Sequence, residues 1–300
     1  MKDQRSRREF LRSCAQTGAL LISPSLLANA AAGKKRTATD QVVLGKSGLS
    51  VSRLGMGTGS QGGRIQRELG QEGFTRLIRY GIDQGLTFID TAENYKNIHA
   101  MLKPALQGVA RDRIQIQSKL SAAKGADLFT QLQQMLSDLG TDYLDSFLIH
   151  CVTTADWPQQ CGRMMEDLEK AKARGLIRSH GVSIHGLAPL KAAASVPWID
   201  IALVRVNHNG HHMDGTTGKF AEPGDHKAAI PLIRQLAKNK MGLVAMKLVG
   251  NGDFVSEEDR EAAIRFVMKE KRLHAAIMGF KSTREIDEAI ARINSALGAA

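Results

Sequence analysis

The chain has 300 residues, a net charge of +11, 43% hydrophobic residues and 24% charged ones. That length can bury a substantial core, and this composition excludes a disordered or fibrous chain. No basic stripe interleaved with aromatics is present, which argues against a nucleic-acid partner. Five basic against two acidic residues in the first 32 leave +8 on the rest, a balance that suits an anionic small ligand.

The first element in chain order is a leader. Arg7-Arg8-Glu9-Phe10-Leu11 precedes a short apolar stretch, broken by Ser23-Pro24-Ser25, and then the small residues Ala28-Asn29-Ala30. Basic, apolar and small-residue regions in that order make a signal peptide over 1–30. Its paired arginines resemble a twin-arginine export signal. The apolar run is too short to span a bilayer. This reading sends the mature protein to the periplasm, or otherwise out of the cytoplasm, through the twin-arginine machinery, with no stable membrane span after processing. A basic amphipathic helix is the competing reading. A polar linker over 31–40 then leads into a single domain over 41–300.

That domain begins with two short apolar runs around Gly45-Lys46-Ser47-Gly48, the pattern of a β-hairpin. Strand-like segments follow at 53–58, 86–91, 114–119, 143–150, 177–183, 199–206, 243–248 and 275–280. Helical patterns lie between them at 73–84, 128–139, 162–173, 228–238, 256–269 and 284–296. Eight strands alternating with helices predict an α/β fold, a (β/α)8 TIM barrel, with the hairpin plugging its N-terminal end or sitting at its edge. An open doubly wound sheet is the alternative. It lacks support because no GxGxxG fingerprint leads into a helix.

The C-terminal ends of barrel strands form the working face. Asp90, Lys119 and His150 end three consecutive predicted strands, and Tyr95 follows Asp90 in the next loop. Each alone has a dull explanation: a capping Asp, a solvated Lys, a structural His. Together they suit carbonyl chemistry. A free tyrosine is a weak acid with a pKa of about 10. A nearby ammonium, Lys119, favours the phenolate and lowers that pKa, and Asp90 can hold Lys119 charged and oriented. His150 can fix the direction of a substrate oxygen by a hydrogen bond. Tyr95 then serves as general acid for reduction and as base for the reverse oxidation.

Two segments carry a family resemblance. The first is Gly48-Leu49-Ser50-Val51-Ser52-Arg53-Leu54-Gly55-Met56-Gly57-Thr58, and the second is Gly85-Leu86-Thr87-Phe88-Ile89-Asp90-Thr91-Ala92-Glu93-Asn94-Tyr95. They resemble the entry segment and the Asp-Thr-Ala-x-x-Tyr signature of the aldo-keto reductases. Ser118-Lys119 and Leu148-Ile149-His150 resemble that family's Lys and His segments. The resemblance implies hydride transfer between NADP(H) and a small carbonyl or alcohol substrate. It also implies a cofactor set of Gly57, Thr58, Ser183, Met246, Lys247, Gly250, Gly279, Lys281, Ser282, Arg284 and Glu288. Lys281 and Ser282 fall where the family meets a ribose 2′-phosphate. Backbone N–H groups at the following helix start also favour an anion. Three departures stand out. Ile184 replaces the Asn that often follows the strand-five Ser, Ala289 replaces the Asn after Glu288, and the strand-six Gln has no match beyond Arg205 or Asn207.

On the substrate side, Trp157 fits either a pocket wall or the core, and Asn207 fits contact with a polar substrate. The stretch 207–214 is rich in metal-capable groups, yet such spacing also fits a loop, so no metal is expected. For Cys151 and Cys161, a disulfide after export and two free thiols both fit. An NADP(H)-binding redox-sensing module with little turnover is the rival to an enzyme on the same barrel.

Overall fold

The computed structural model describes residues 35–298 apart from 218, 220 and 221, so the export leader lies outside the described residues. From Arg36 onward the described chain makes one compact unit. Strands β1 (Gln41–Val43) and β2 (Ser50–Ser52) pair antiparallel as the expected hairpin. Eight parallel strands then close into a barrel: β3 (Leu54–Gly57), β4 (Phe88–Asp90), β5 (Gln115–Ser121), β6 (Leu144–Val152), β7 (Ile177–Ile184), β8 (Ile201–Arg205), β9 (Gly242–Met246) and β10 (Ala275–Gly279). Each strand neighbours the next in sequence, and β10 pairs with β3 through Met278 and Met56 to shut the ring. This is the (β/α)8 TIM barrel expected from the alternation.

Helices α1 (Gly70–Asp83), α2 (Ile98–Leu106), α3 (Leu128–Leu139), α4 (Gly162–Ala173), α5 (Leu187–Ala193), α6 (His226–Lys238), α7 (Glu257–Lys269) and α8 (Thr283–Gly298) connect the strands. Their apolar stripes bury against the outer face of the barrel, as with Leu132, Met135, Leu136 and Leu139 of α3. Gly140 ends α3 with a left-handed φ of 69°, a conformation that a side chain would strain. Ser256 starts α7 by accepting a hydrogen bond from the Asp259 amide, and three acidic residues in the first turn suit the helix dipole.

Period-2 alternation sorts each strand between these helices and the lumen. Ile89, Ile149, Ala202, Ala245 and Ala276 face the helix layer and join its apolar cluster. Phe88, Leu148, Leu203, Val244 and Ile277 form a second cluster inside the barrel. Leu44, Leu49 and Val51 of the hairpin segment complete that inner cluster, so the hairpin closes the N-terminal end of the lumen. The closure is tight: a Cβ on Gly242 would meet Cβ of Leu44 at 2.7 Å. Within the stretch read as linker, the amide of Ala38 donates to Asn294 of α8 and its carbonyl accepts from Leu54.

Two strands run longer than their sequence suggests. β5 reaches Ser121 and β6 reaches Val152, so Lys119 and His150 do not end their strands. Pairing of Leu120 with Ile149 and of Ser121 with His150 accounts for the extension. The register of β6 against β7 shifts between Ile149 and Val152, where Cys151 takes a left-handed φ of 56°.

Candidate active site

The same alternation that fills the lumen with apolar residues puts the chemistry above them. Two residues beyond Phe88 comes Asp90; beyond Leu148, His150; beyond Leu203, Arg205; beyond Val244, Met246; beyond Ile277, Gly279. On β5 and β7 the corresponding residues are Lys119 and Ser183. A cavity of about 350 Å³ opens here at the C-terminal end of the barrel, lined in part by Gly57, Asp90, Tyr95, Lys119, His150 and Ser183.

Lys119 Nζ lies 2.6 Å from Asp90 Oδ1, and their side chains are 1% and 7% exposed. The ammonium also donates to the Thr91 carbonyl at 2.7 Å, while Gln117 Nε2 donates to Asp90 Oδ1 at 2.8 Å. A buried pair of this kind is tolerated only when its remaining hydrogen-bond capacity is used in this way. Thr58 supports the same corner from β3: its amide and its hydroxyl both donate to the Asp90 carbonyl at 2.9 Å.

Tyr95 sits in the loop between β4 and α2, with Lys119 Nζ 5.4 Å from its ring centroid and the His150 ring edge-on at 5.9 Å. A Cβ on Gly59 would reach the phenolic oxygen at 2.6 Å, so Gly59 must be glycine for the phenol to occupy this place. Burial first, and then the Asp90 charge, push the tyrosine well above its usual pKa. The net direction is upward because burial outweighs any depression by a neighbouring charge. The Lys119 ammonium is already matched by Asp90.

His150 is driven down to about 3 by burial, then by the Lys119 and Lys247 charges, so its imidazole is neutral at any physiological pH. His185, which sequence reasoning missed, lines the cavity just beyond Ser183, with Nε2 3.2 Å from the Ser183 hydroxyl. Burial, followed by Arg205 and its neighbours, holds it well below the usual histidine range. Its only signal in sequence was its place after the unexpected Ile184, whose side chain turns outward into the helix layer. Lys247 has a left-handed φ of 63° and donates to Asn251 Oδ1 at 2.8 Å. Burial, then Arg205, lowers it to about 8.

The expected cofactor residues divide between two adjoining cavities. Gly57, Ser183, Met246 and Lys247 line the first, and Gly279 and Lys281 line both. The second, of about 410 Å³, extends to Ser282, Arg284 and Glu288 around the start of α8. Glu288 Oε1 accepts from Arg260 Nε at 2.6 Å and from Arg292 Nε at 2.9 Å. Val249, Gly252 and Phe280 also belong to both cavities, which makes one groove from the barrel mouth to α8.

Four expected residues line neither cavity. Thr58 acts from behind Asp90. Gly250 turns the loop after β9 with a φ of 57°. Trp157 is 1% exposed within the helix layer and its indole N–H donates to the Pro189 carbonyl, the core reading of that residue. Asn207 is fully buried and donates to the His211 and Lys247 carbonyls, so it ties two loops together. Arg205, also fully buried, pairs with Asp214 at 3.0 Å beneath them. Cys151 and Cys161 are free thiols.

A closed (β/α)8 barrel thus gathers Asp90, Tyr95, Lys119 and His150 at its C-terminal mouth. The chain belongs to the aldo/keto reductase family, whose sequence model matches residues 53–299. Among curated relatives, it is 28% identical over 156 residues to aldo-keto reductase YhdN of Bacillus subtilis, a match covering 46% of this chain and 44% of that one. It is 34% identical over 124 residues to methylglyoxal reductase YeaE of Escherichia coli, covering 40% and 42%. The chain thus spans less than half the length of these curated relatives in the matched segments. The barrel superposes on an aldo-keto reductase of Pseudomonas aeruginosa with a TM-score of 0.69 at 24% identity, covering 88% of this chain and 98% of that one. It also superposes on a Klebsiella pneumoniae aldo-keto reductase solved with NADPH, with a TM-score of 0.62 at 21% identity, covering 86% and 89%. At these identities the structural likeness establishes the fold.

Proposed function

We propose that this chain is an NADP(H)-dependent oxidoreductase that interconverts a small carbonyl and its alcohol. The observation that carries the reading is the buried Asp90–Lys119 pair at 2.6 Å beside Tyr95, with a neutral His150 completing the cavity wall. The cations along the groove suit an anionic dinucleotide, although Glu257, Glu285 and Glu288 also line its outer part. Lys247 lies in its buried part and Lys281, Arg284, Arg260 and Arg292 surround its outer part. These residues, with Ser183 and the start of α8, would hold the cofactor, which when bound supplies the hydride.

The remaining steps belong to the protein. His150, neutral, donates a hydrogen bond to the substrate oxygen and sets its direction. Tyr95 gives its proton to that oxygen as negative charge develops there, and takes it back in the oxidation. The phenol is protonated in the free protein, which suits it to the reductive direction. Lys119, held by Asp90, stabilises the phenolate left behind.

The test is NADPH oxidation by the purified protein over a panel of small carbonyls. Methylglyoxal is a reasonable first member, since the Escherichia coli relative is named for it. Tyr95→Phe is expected to lower kcat by about 10²–10⁴-fold with the NADPH Kd unchanged. Tight NADPH binding with turnover no higher than that of the Tyr95→Phe variant would instead favour the redox-sensing reading.

We further propose export of the mature domain, 41–300, through the twin-arginine route, with cofactor loaded before translocation. This rests on the Arg7-Arg8 leader alone. Cell fractionation of the full chain and of an Arg7→Lys/Arg8→Lys variant tests it. Equal periplasmic accumulation of the two would refute the route, and nucleotide-free periplasmic protein would refute prior loading.

A further inference from the structure

The loops after β8 and β9 meet in a cluster that carbonyl chemistry does not use. His211 Nε2 lies 2.7 Å and His212 Nε2 2.9 Å from the same atom, Asp253 Oδ2. The three donor atoms are within 4.8 Å of one another. Consecutive side chains in ordinary backbone point apart. Here His212 takes a left-handed φ of 53°, and the two imidazole centroids come to 3.9 Å.

The backbone carrying these groups is itself held. The His211 amide donates to Asn209 Oδ1 at 2.9 Å, and its carbonyl accepts from buried Asn207 at 2.6 Å. The Asp253 amide donates to the Gly250 carbonyl at 3.2 Å. His211 and Asp253 keep 44% and 52% of their side-chain surface in solvent, so a cation can arrive without unfolding and keep water on its open side.

We propose that His211, His212 and Asp253 form a site for a divalent transition-metal cation, with Zn²⁺ the chemistry that fits best. Two imidazoles and one carboxylate are borderline donors that suit Zn²⁺ and its neighbours rather than Mg²⁺ or Ca²⁺. Zinc–ligand bonds of about 2.0–2.2 Å put tetrahedral donors roughly 3.3 Å apart. The two histidine–Asp253 separations, 2.7 and 2.9 Å, need to open by about half an ångström to admit the ion, and all three donors already lie within 4.8 Å. Each ligand enters as a neutral imidazole or a carboxylate, so a proton on either histidine leaves to solvent when the cation binds.

The position gives the site a consequence. A Cβ on Gly250 would touch His211 at 3.1 Å, and Asn251 and Gly252, beside Asp253, line the first cavity. A cation here fastens the loop after β8 to the loop that borders the groove. The site itself does not depend on the proposed cofactor or reaction.

Calorimetric titration of the tag-free, EDTA-treated full chain with ZnCl₂ tests the proposal. One equivalent is expected to bind, with affinity reduced at least tenfold in His212→Gln and in Asp253→Asn and unchanged in His226→Gln. Co²⁺ in place of Zn²⁺ is expected to give the intense visible absorption of a tetrahedral ion, and circular dichroism of each variant checks that it has folded. Hydrogen exchange on Zn²⁺ addition is expected to slow in 207–214 and 250–254. Absence of stoichiometric binding, binding indifferent to both ligand substitutions, or exchange protection located elsewhere would each overturn the site. None of these readouts uses NADPH turnover, so the site can fail while the oxidoreductase reading stands, and the reverse.

Discussion

Lys119 and Asp90 share a place where neither side chain is more than 7% exposed. An uncompensated charge left there is costly, and breaking such a pair destabilises by about 3–5 kcal/mol. Asp90→Asn is therefore expected to lower urea-unfolding stability by that amount, and the double change with Lys119→Met to recover a good part of it. Equal stability in the single and double variants would show that the two charges do not depend on each other. Lys247 gives a pH dependence of a different kind. Burial lowers it to about 8, while His150 titrates near 3 and so stays neutral throughout the working range. An anionic nucleotide favours the charged lysine, so affinity is full below pH 8 and falls as pH rises through it. From pH 7 to 9 the NADPH Kd, followed by fluorescence, is expected to rise by about tenfold. Lys247→Met is expected to bind more weakly and to flatten that rise.

At the scale of elements, β7 and β8 approach each other closely at Gly181. Gly181 of β7 is opposite Ile201 of β8, and a Cβ there would run into the Ile201 carbonyl oxygen. Backbone cannot yield as a flexible side chain does, so Gly181→Ala is expected to cost at least the roughly 1–3 kcal/mol of an overpacked core. Denaturant titration gives the figure, and an unchanged midpoint would contradict the close approach. The eight strands were legible because short apolar runs or apolar–polar alternation, as in β6 and β5, contrast with the helical periodicity between them. α3 and α4 were legible to the residue because glycine or small residues bound a clear stripe. α2 and α5 were not. α2 is interrupted by Pro104, and α5 has seven residues with a proline in its first turn. That Asp90, Tyr95, Lys119 and His150 come together was readable because alternation and strand order are local properties of sequence. Gly59 beside Tyr95, His185 beyond Ser183, and Asp253 opposite His211 and His212 were not, since each acquires its meaning from a neighbour brought by another loop or turn. Trp157 stayed undecided between pocket wall and core for the same reason: sequence places it in a loop after β6 but does not say which way that loop folds.

Across the whole molecule, the hairpin and the groove occupy opposite ends of one lumen. Leu44, Leu49 and Val51 fill the N-terminal end from below, with Phe88 and Leu148 among the residues they join. The polar layer with Asp90, Lys119 and His150 lies above these apolar residues. Leu44 is fully buried. Leu44→Ala is expected to remove about 2–5 kcal/mol of stability through the lost contact and the cavity left behind. Because the plug is distant from the groove along the barrel axis, the NADPH Kd should stay within twofold. A large loss of nucleotide affinity at full folding would show instead that the two ends are coupled. Among the described residues no helix is long and apolar enough to cross a membrane.

The pairing of β10 with β3 has a temporal side. The strand that completes the ring, with Met278 beside Met56, lies far along the chain from its partner. Until it arrives, β3 and β9 each present an unsatisfied edge, and the lumen stays open to water. That closing contact spans most of the barrel's sequence, and such non-local pairing is the slow kind to form. A ribosome releasing the chain from its N-terminus delivers this strand after the other seven, so the barrel is assembled chiefly once synthesis of β10 is done. Exposed strand edges and an open apolar lumen are the features that make a partly folded chain prone to aggregate, so the interval before β10 arrives is the one most exposed to that hazard.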